Sequence, residues 1–273
     1  MPQNYASKYS AKVDERFTQA SLTEAAFNQD YDWDGVSTVN VYSVATSPLN
    51  DYTMTGQNRY GTADELGTNI QAMTLTQDKS FTFTIDRRNY TDQMMVTDAG
   101  RALRRQIDEV VIPTVDIYRI SRLVAGAGTT STPAPITNNN AYESFLTGVS
   151  TILDSKAPLA GTFSFISPNF FKRIRLDPGF IKQGDMSQNM LVTGAVGMVE
   201  NVPLVFCPAS YFPTGVEFVI SNRIAAVGPV KLSDYKTHDN PPGVNGWLCE
   251  GRIYYDAFVL NNKANAIYVH KSA

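Results

Sequence analysis

Residues Met73–Ile85 read MTLTQDKSFTFTI. In an extended chain successive side chains point to opposite faces. Met73, Leu75, Gln77, Lys79, Phe81, Phe83 and Ile85 then share one face, and Thr74, Thr76, Asp78, Ser80, Thr82 and Thr84 share the other. The pattern predicts one strand about 43 Å long at roughly 3.3 Å per residue, about twice an ordinary strand. One face is polar throughout, and the apolar face is interrupted at Gln77 and Lys79.

Upstream, the β-branched run VSTVNVYSV (Val36–Val44) predicts a partner strand. The intervening stretch carries Pro48, Gly56, Gly61 and Gly67 with almost no apolar periodicity, which reads as a long loop. Two strands joined by such an insert form a projecting hairpin. Loops of this length inside compact domains tend to be functional or disordered. Residues 1–34 are polar, with one apolar cluster at Ala20, Leu22, Ala25, Ala26 and Phe27, and read as an arm that does not bury itself.

Downstream, Met95, Ala99, Leu103, Ile107, Val110 and Val111 recur at helical spacing, and the pattern resumes at Val115, Tyr118 and Leu123. Asn89 is the expected cap, with Asp92 three residues on. A continuous helix from Tyr90 to Ala125 would be about 54 Å long at ~1.5 Å per residue, bent at Pro113. Arg101, Arg104, Arg105, Asp108 and Glu109 lie opposite the apolar stripe, either as a solvated face or as a subunit contact. TTSTPAPITNNN (129–140) reads as a flexible joint. A helix over Ala141–Asp154 should bury Phe145, Val149, Ile152 and Leu153. Then follow strand TFSFI, a helix over Asn169–Arg175 and strands near 191–207 and 217–227, an α+β block. The last segment, GRIYYDAFVLNNKANAIYV, predicts two strands around a turn at Asn261–Ala264.

The chain has 273 residues and is 43% hydrophobic, enough to bury a core as one large domain or two intimate ones. Only 18% of residues are charged, a low share that suits a protein with much surface hidden against partners. The net charge of −3 lacks the basic balance that phosphate-backbone binding requires. Cys207 and Cys249 lie in strand-like surroundings and read as buried thiols in a reducing compartment. No secretory h-region opens the chain, and no apolar run approaches a membrane span.

Motifs for chemistry are sparse. His238 and His270 are the two histidines, and neither G-x-S-x-G, H-E-x-x-H, a P-loop nor GxGxxG occurs. The cysteines lack zinc spacing. Asp30, Asp32, Asp34 and Gly35 match the first half of a calcium loop, but its twelfth position is Val41, inside a predicted strand. This reads as an acidic turn with Trp33 packed beneath it. Arg87–Arg88, with Arg59 and Arg101, lacks the interleaved aromatics of a stacking platform and reads as a source of inter-subunit ion pairs. A carboxylate-based enzyme stays open as a third-ranked reading.

The order of parts is polar arm, long hairpin, long helix, α+β block and returning strands. It resembles the major capsid (coat) protein of tailed bacteriophages, an α+β chain with the Hong Kong 97-like fold. The stretches SLTEAAFNQDYDWDGVSTVNVYSV, LNDYT, RYGTADELGTNIQAMTLTQDKSFTFTIDRRNYTDQMM, GRALRRQIDEVVIPTVDIYRI and GRIYYDAFVLNNKANAIYVH resemble those of one group of small phage coat proteins.

The resemblance implies a structural subunit with no catalytic site, metal or cofactor. Residues 1–35 would be an N-terminal arm over a neighbouring subunit, and 36–88 an extended loop reaching across the next one. Residues 89–139 would form a peripheral domain with a spine helix, 140–230 an axial domain, and 231–273 strands returning to the peripheral domain. Inter-subunit contacts are expected at Arg59, Tyr60, Phe81, Phe83, Arg87, Arg88, Arg104, Arg105 and Glu109. The implied partners are other copies, as hexamers and pentamers, with a portal, a decoration protein and a separate scaffolding protein, since arm-like sequence follows Met1 at once. The shell would form in the host bacterial cytoplasm and enclose double-stranded DNA without sequence-specific binding or a membrane. A nanocompartment shell of the encapsulin kind is the alternative with the same fold.

Overall fold

The computed structural model describes residues 21–31, 33, 37–63, 65–88, 99–181 and 197–272. The stretch 73–85 is two strands. β1 (Thr38–Val44) and β2 (Thr68–Thr74) make an antiparallel two-stranded sheet. β3 (Gln77–Asp86) instead joins the far C-terminal half of the chain. Its antiparallel partner is Gly246–Tyr255 (β11 in chain order), which also pairs with Val230–Asp239 (β10). The expected single strand therefore breaks at Leu75 and Thr76. The polar interruption at Gln77 and Lys79 marks where the second strand begins. Thr76 gives its N–H to the Asp256 carboxylate rather than to a ladder, which turns the chain out of the first sheet.

The long helix is α1 (Ala99–Gln106), a π-helical turn (Ile107–Val111) and α2 (Ile112–Gly126) in unbroken succession. The expected cap at Asn89 lies outside the described residues. Where a bend at Pro113 was expected, the helix widens just before it, with Ile112 N–H bonding to the Ile107 carbonyl five residues back. Proline has no N–H to offer the preceding turn and its ring crowds it; the wide turn relieves both problems. Leu103, Ile107, Val111 and Val115 are buried against Tyr235, Ile253 and Tyr255 of the three-stranded sheet.

A further sheet, of six strands, has the order β4-β13-β8-β5-β7-β6. These are Thr129–Thr130 (β4), Thr162–Ile166 (β5), Met198–Val199 (β6), Val202–Phe206 (β7), Val216–Asn222 (β8) and Ile267–Lys271 (β13). Both faces are covered, which explains the nearly continuous apolar character of TFSFI and VEFVIS. On one face Phe218, Ile220 and Tyr268 pack with Phe145 and Phe170, from helices α3 (Ala141–Asp154) and α4 (Pro168–Leu176). On the other, Phe165, Val219 and Val269 pack with Ile120 and Leu123 of α2. Ser167 starts α4 by accepting a hydrogen bond from Phe170 N–H at 3.1 Å. A four-residue helix, α5 (Pro178–Ile181), follows. β9 (Ala226–Val227) and β12 (Phe258–Val259) pair separately.

Three further expectations need correction. Residues 21–31 and 33 are not an arm without burial, because Ala26 and Phe27 are buried in the chain's own core and Trp33 stacks on Phe258 at 5.7 Å. The segment 129–140 is not a free joint. Thr129 and Thr130 run parallel to Tyr268 and Val269, Ser131 and Ala134 donate to the carbonyls of Val269 and Lys271, and Ile136 is buried. A strand edge takes up the backbone groups that the sequence leaves unassigned. Leu153 is exposed rather than buried, lying off the packed face of α3. The last strands do flank a turn at the expected place, over Asn261–Ala266. Beyond that 3-10 turn, β13 enters the six-stranded sheet between β4 and β8, while β12 pairs with β9.

Candidate assembly surfaces

The β1–β2 pair and the loop at its end form a finger. Val39 and Val41 face the body, packed with Met73, Leu75 and Trp33. The alternate positions Thr38, Asn40, Tyr42 and Val44 are exposed, and Tyr42 stands opposite exposed Ile70 in the register. No charged residue occurs from Ser37 to Asn50 or from Leu66 to Gln77. Among the described residues fifteen large hydrophobic side chains are exposed, and eight of them lie between Tyr42 and Ile70. An uncharged strand pair with an apolar outer face is an invitation to association.

The tip is ordered by its own hydrogen bonds. Thr53 N–H donates to Arg59 O at 3.1 Å, and Gly61 N–H to Asn58 O at 2.9 Å. Arg59 Nε reaches the Gly56 carbonyl at 3.3 Å. Gly61 takes φ +88° with the Asn50 side chain against it, so a Cβ there would meet both strain and a clash. Tyr52 and Tyr60 meet edge to face at 5.1 Å, with both rings exposed. Tyrosine and arginine on a preformed loop match the composition of interface hot spots.

At its base the finger is jointed to the body. Asp256, 1% exposed, accepts from Thr76 N–H and Thr76 Oγ1 at 2.8 Å each, from Tyr118 Oη at 2.8 Å and from Ala257 N–H at 2.7 Å. Burial, and then the bond to Asp256, pushes the Tyr118 phenol above its ordinary pKa. The Gln71 amide donates to Val259 O at 2.8 Å and accepts from Asn261 N–H at 2.9 Å. The arm is fastened separately. Asp116 accepts from Ser21 Oγ, Leu22 N–H and Thr23 Oγ1. Buried Arg119 pairs with Glu24 at 2.9 Å, donates to Gly228 O at 3.1 Å and lies over the Phe27 ring.

The expected contact residues fall into three places. Arg59 and Tyr60 are together on the finger tip. Phe81 and Phe83 stack on each other at 6.2 Å within β3, and Phe81 also stacks on Tyr235 at 6.1 Å, so both pack inside the subunit. Arg87 pairs with Asp239 at 3.3 Å and lies over Trp247, while Arg88 is exposed beside it. Arg104, Arg105 and Glu109 are exposed along the long helix, and Arg105 pairs with Glu109 at 2.8 Å. Sequence reasoning missed Asp256, Gln71, Asp116 and Arg119. A signal existed for three of them, since Asp256 interrupts the apolar run IYYDAFVL, and Asp116 and Arg119 lie among the buried positions of α2.

For calcium, Asp32, Asp34 and Gly35 lie outside the described residues, and Val41 sits within β1. Among the described residues no group of three or more His, Cys, Asp or Glu is arranged to hold a metal. No helix there is long and apolar enough to cross a membrane. Cys207 and Cys249 are buried free thiols, and burial, with Asp116 nearby, pushes the Cys207 thiol up to about 12.

No family model matches the chain, and no curated protein matches it by sequence. Solved structures do match. One from Mycobacterium phage Che8 superposes with a TM-score of 0.72 at 15% identity, over 90% of this chain and 89% of that one. The mature capsid of bacteriophage PhiM1 gives 0.65 at 12% identity, over 87% and 82%. The virus-like particle from Pyrococcus furiosus gives 0.61 at 9%, over 98% and 100%. The chain thus has the α+β fold of phage capsid shells. That is the Hong Kong 97-like fold, the one its order of parts resembles.

Proposed function

We propose that this chain is the major coat subunit of a tailed-phage head, assembling as hexamers and pentamers into an icosahedral shell around double-stranded DNA. One observation carries the reading. A capsid-like fold over most of the chain projects a finger whose strand pair is uncharged and which holds eight of the fifteen exposed large hydrophobic side chains found among the described residues. A two-stranded hairpin is marginal in water by itself, and a second copy supplies the surface it lacks. The finger and the surface it lies on are different, so the contact is head-to-tail, the kind that makes rings when the rotation between copies closes. In this reading Arg59 and Tyr60 make contacts at the tip, and Arg104, Arg105 and Glu109 along the helix. Residues 140–230 gather at the capsomer centre, and scaffolding, portal and decoration proteins are the other partners. The role is structural, not enzymatic, and its place is the virion, built in the host cytoplasm.

The test is electron microscopy and sedimentation of the purified chain, alone and co-expressed with the products of neighbouring reading frames. Closed particles are expected. A monomer under every one of these conditions would refute the proposal. The likeness to the Pyrococcus furiosus virus-like particle favours a second reading, a nanocompartment shell. Particles from the native source that protect a protein cargo rather than DNA would decide for it.

A further inference from the structure

The Asp256 carboxylate lies where three parts of the chain meet: the turn between β2 and β3, helix α2 through Tyr118, and the link from β11 to β12. Each of its oxygens accepts two hydrogen bonds. Oδ2 takes both donors of Thr76, and Oδ1 takes Tyr118 Oη and Ala257 N–H. Four donors converging from three directions define a geometry that an amide cannot copy. With one oxygen replaced by NH2, donors would face donors on one side. The turn it holds is also the only covalent link between the finger's second strand and the body sheet, because β2 ends at Thr74 and β3 starts at Gln77. Gln71 supplies a second tie five residues further out along the chain, to Val259 and Asn261. Two fixed points along a strand set a direction where one would leave a pivot.

We propose that Asp256 is the positioning residue that sets the direction of the finger before any partner binds, and with it the angle at which copies meet. The second half of this claim rests on the shell reading; the first does not. In a head-to-tail ring, a change in the projecting arm's angle propagates once per subunit, so a loose joint turns one closed diameter into many.

Spin labels at Gln57→Cys on the tip and Glu143→Cys on α3 report the finger angle as a distance distribution. Both positions are exposed, and the native thiols are buried. Labelled chain is diluted into unlabelled chain so that only distances within one subunit are read. The expected result is one narrow peak for the parent and loss of that peak in Asp256→Asn. In parallel, particles of Asp256→Asn should lose their uniform diameter. Ile85→Val, which trims the core of β3 away from the joint, should keep both the narrow peak and the uniform diameter. If Asp256→Asn does not fold, Tyr118→Phe and Thr76→Val are read in the same way. A narrow peak retained in the joint variants overturns the proposal, and so does equal broadening by Ile85→Val. If the parent forms no particles, the shell reading falls and the distance measurement still decides the joint.

Discussion

Tyr118 donates its phenolic hydrogen to Oδ1 of Asp256 at 2.8 Å, joining positions 138 apart in sequence. Through Asp256, whose other oxygen holds Thr76, the bond connects the long helix to the turn from which the finger departs. Tyr118 also meets Tyr255 edge to face at 5.7 Å, a contact that phenylalanine keeps. Tyr118→Phe therefore isolates the hydroxyl. It should cost about 1.5–3 kcal/mol, the range for a hydrogen bond to a charged group, measured as a lower midpoint in urea unfolding.

Arg119→Leu should do more damage. It leaves Glu24 and the Gly228 carbonyl without their cation and removes the support under Phe27. Removing one partner of a buried ion pair costs about 3–5 kcal/mol, and the upper end requires full burial, which Glu24 lacks. A loss near 3 kcal/mol in chemical denaturation is expected, together with faster proteolysis at residues 21–29.

His270 is buried, stacks on Phe218 at 5.0 Å and donates from Nε2 to Ala134 O at 3.2 Å. Burial depresses its pKa below the ordinary 6.5, against weaker upward pulls from the Ala134 carbonyl and Glu217. The folded state then binds fewer protons than the unfolded state. The stability that neutral His270 contributes is complete above about pH 6.5 and is lost as pH falls from there toward the folded value. Urea midpoints between pH 7.5 and 5 should fall on acidification, and His270→Gln should flatten that part of the slope.

Cys207 should resist thiol reagents. With its pKa pushed up to about 12 by burial, almost no thiolate exists at pH 8. Cys249 is equally shielded. Aromatic disulfide reagents should label neither thiol in the native protein and both after denaturation.

Replacing residues 46–66 by Asn-Gly should separate folding from association. The cut keeps the β1–β2 ladder, which ends at the Val44–Thr68 pair, and removes Tyr52, Arg59 and Tyr60. A thermal midpoint close to that of the parent, with loss of closed particles by electron microscopy, is expected. Charge reversal at Arg104 and Arg105 should likewise lower particle yield more than stability, since both are exposed.

Local order was readable from local signals. Ala141–Asp154 is a helix and TFSFI a strand because spacing, β-branching and flanking breakers act within a few residues. The break within MTLTQDKSFTFTI was present in the sequence as two polar residues on an apolar face, yet its meaning was not. Whether Gln77 roughens one strand or opens another depends on Asp256, some 180 positions away. The same holds for Thr129–Thr130, which looked like a loose linker until β13 lay beside it.

The amino-acid order alone decided that this chain has a core, a long amphipathic helix and a projecting hairpin, because hydrophobic period and breaker content are properties of short windows. Which strand pairs with which, where the finger is hinged and that the Ser21–Gln29 segment folds onto its own body were decided only in three dimensions. The physical reason is that a buried carboxylate, guanidinium or strand edge is stable only when donors and acceptors from distant segments satisfy it, and no single segment carries that information.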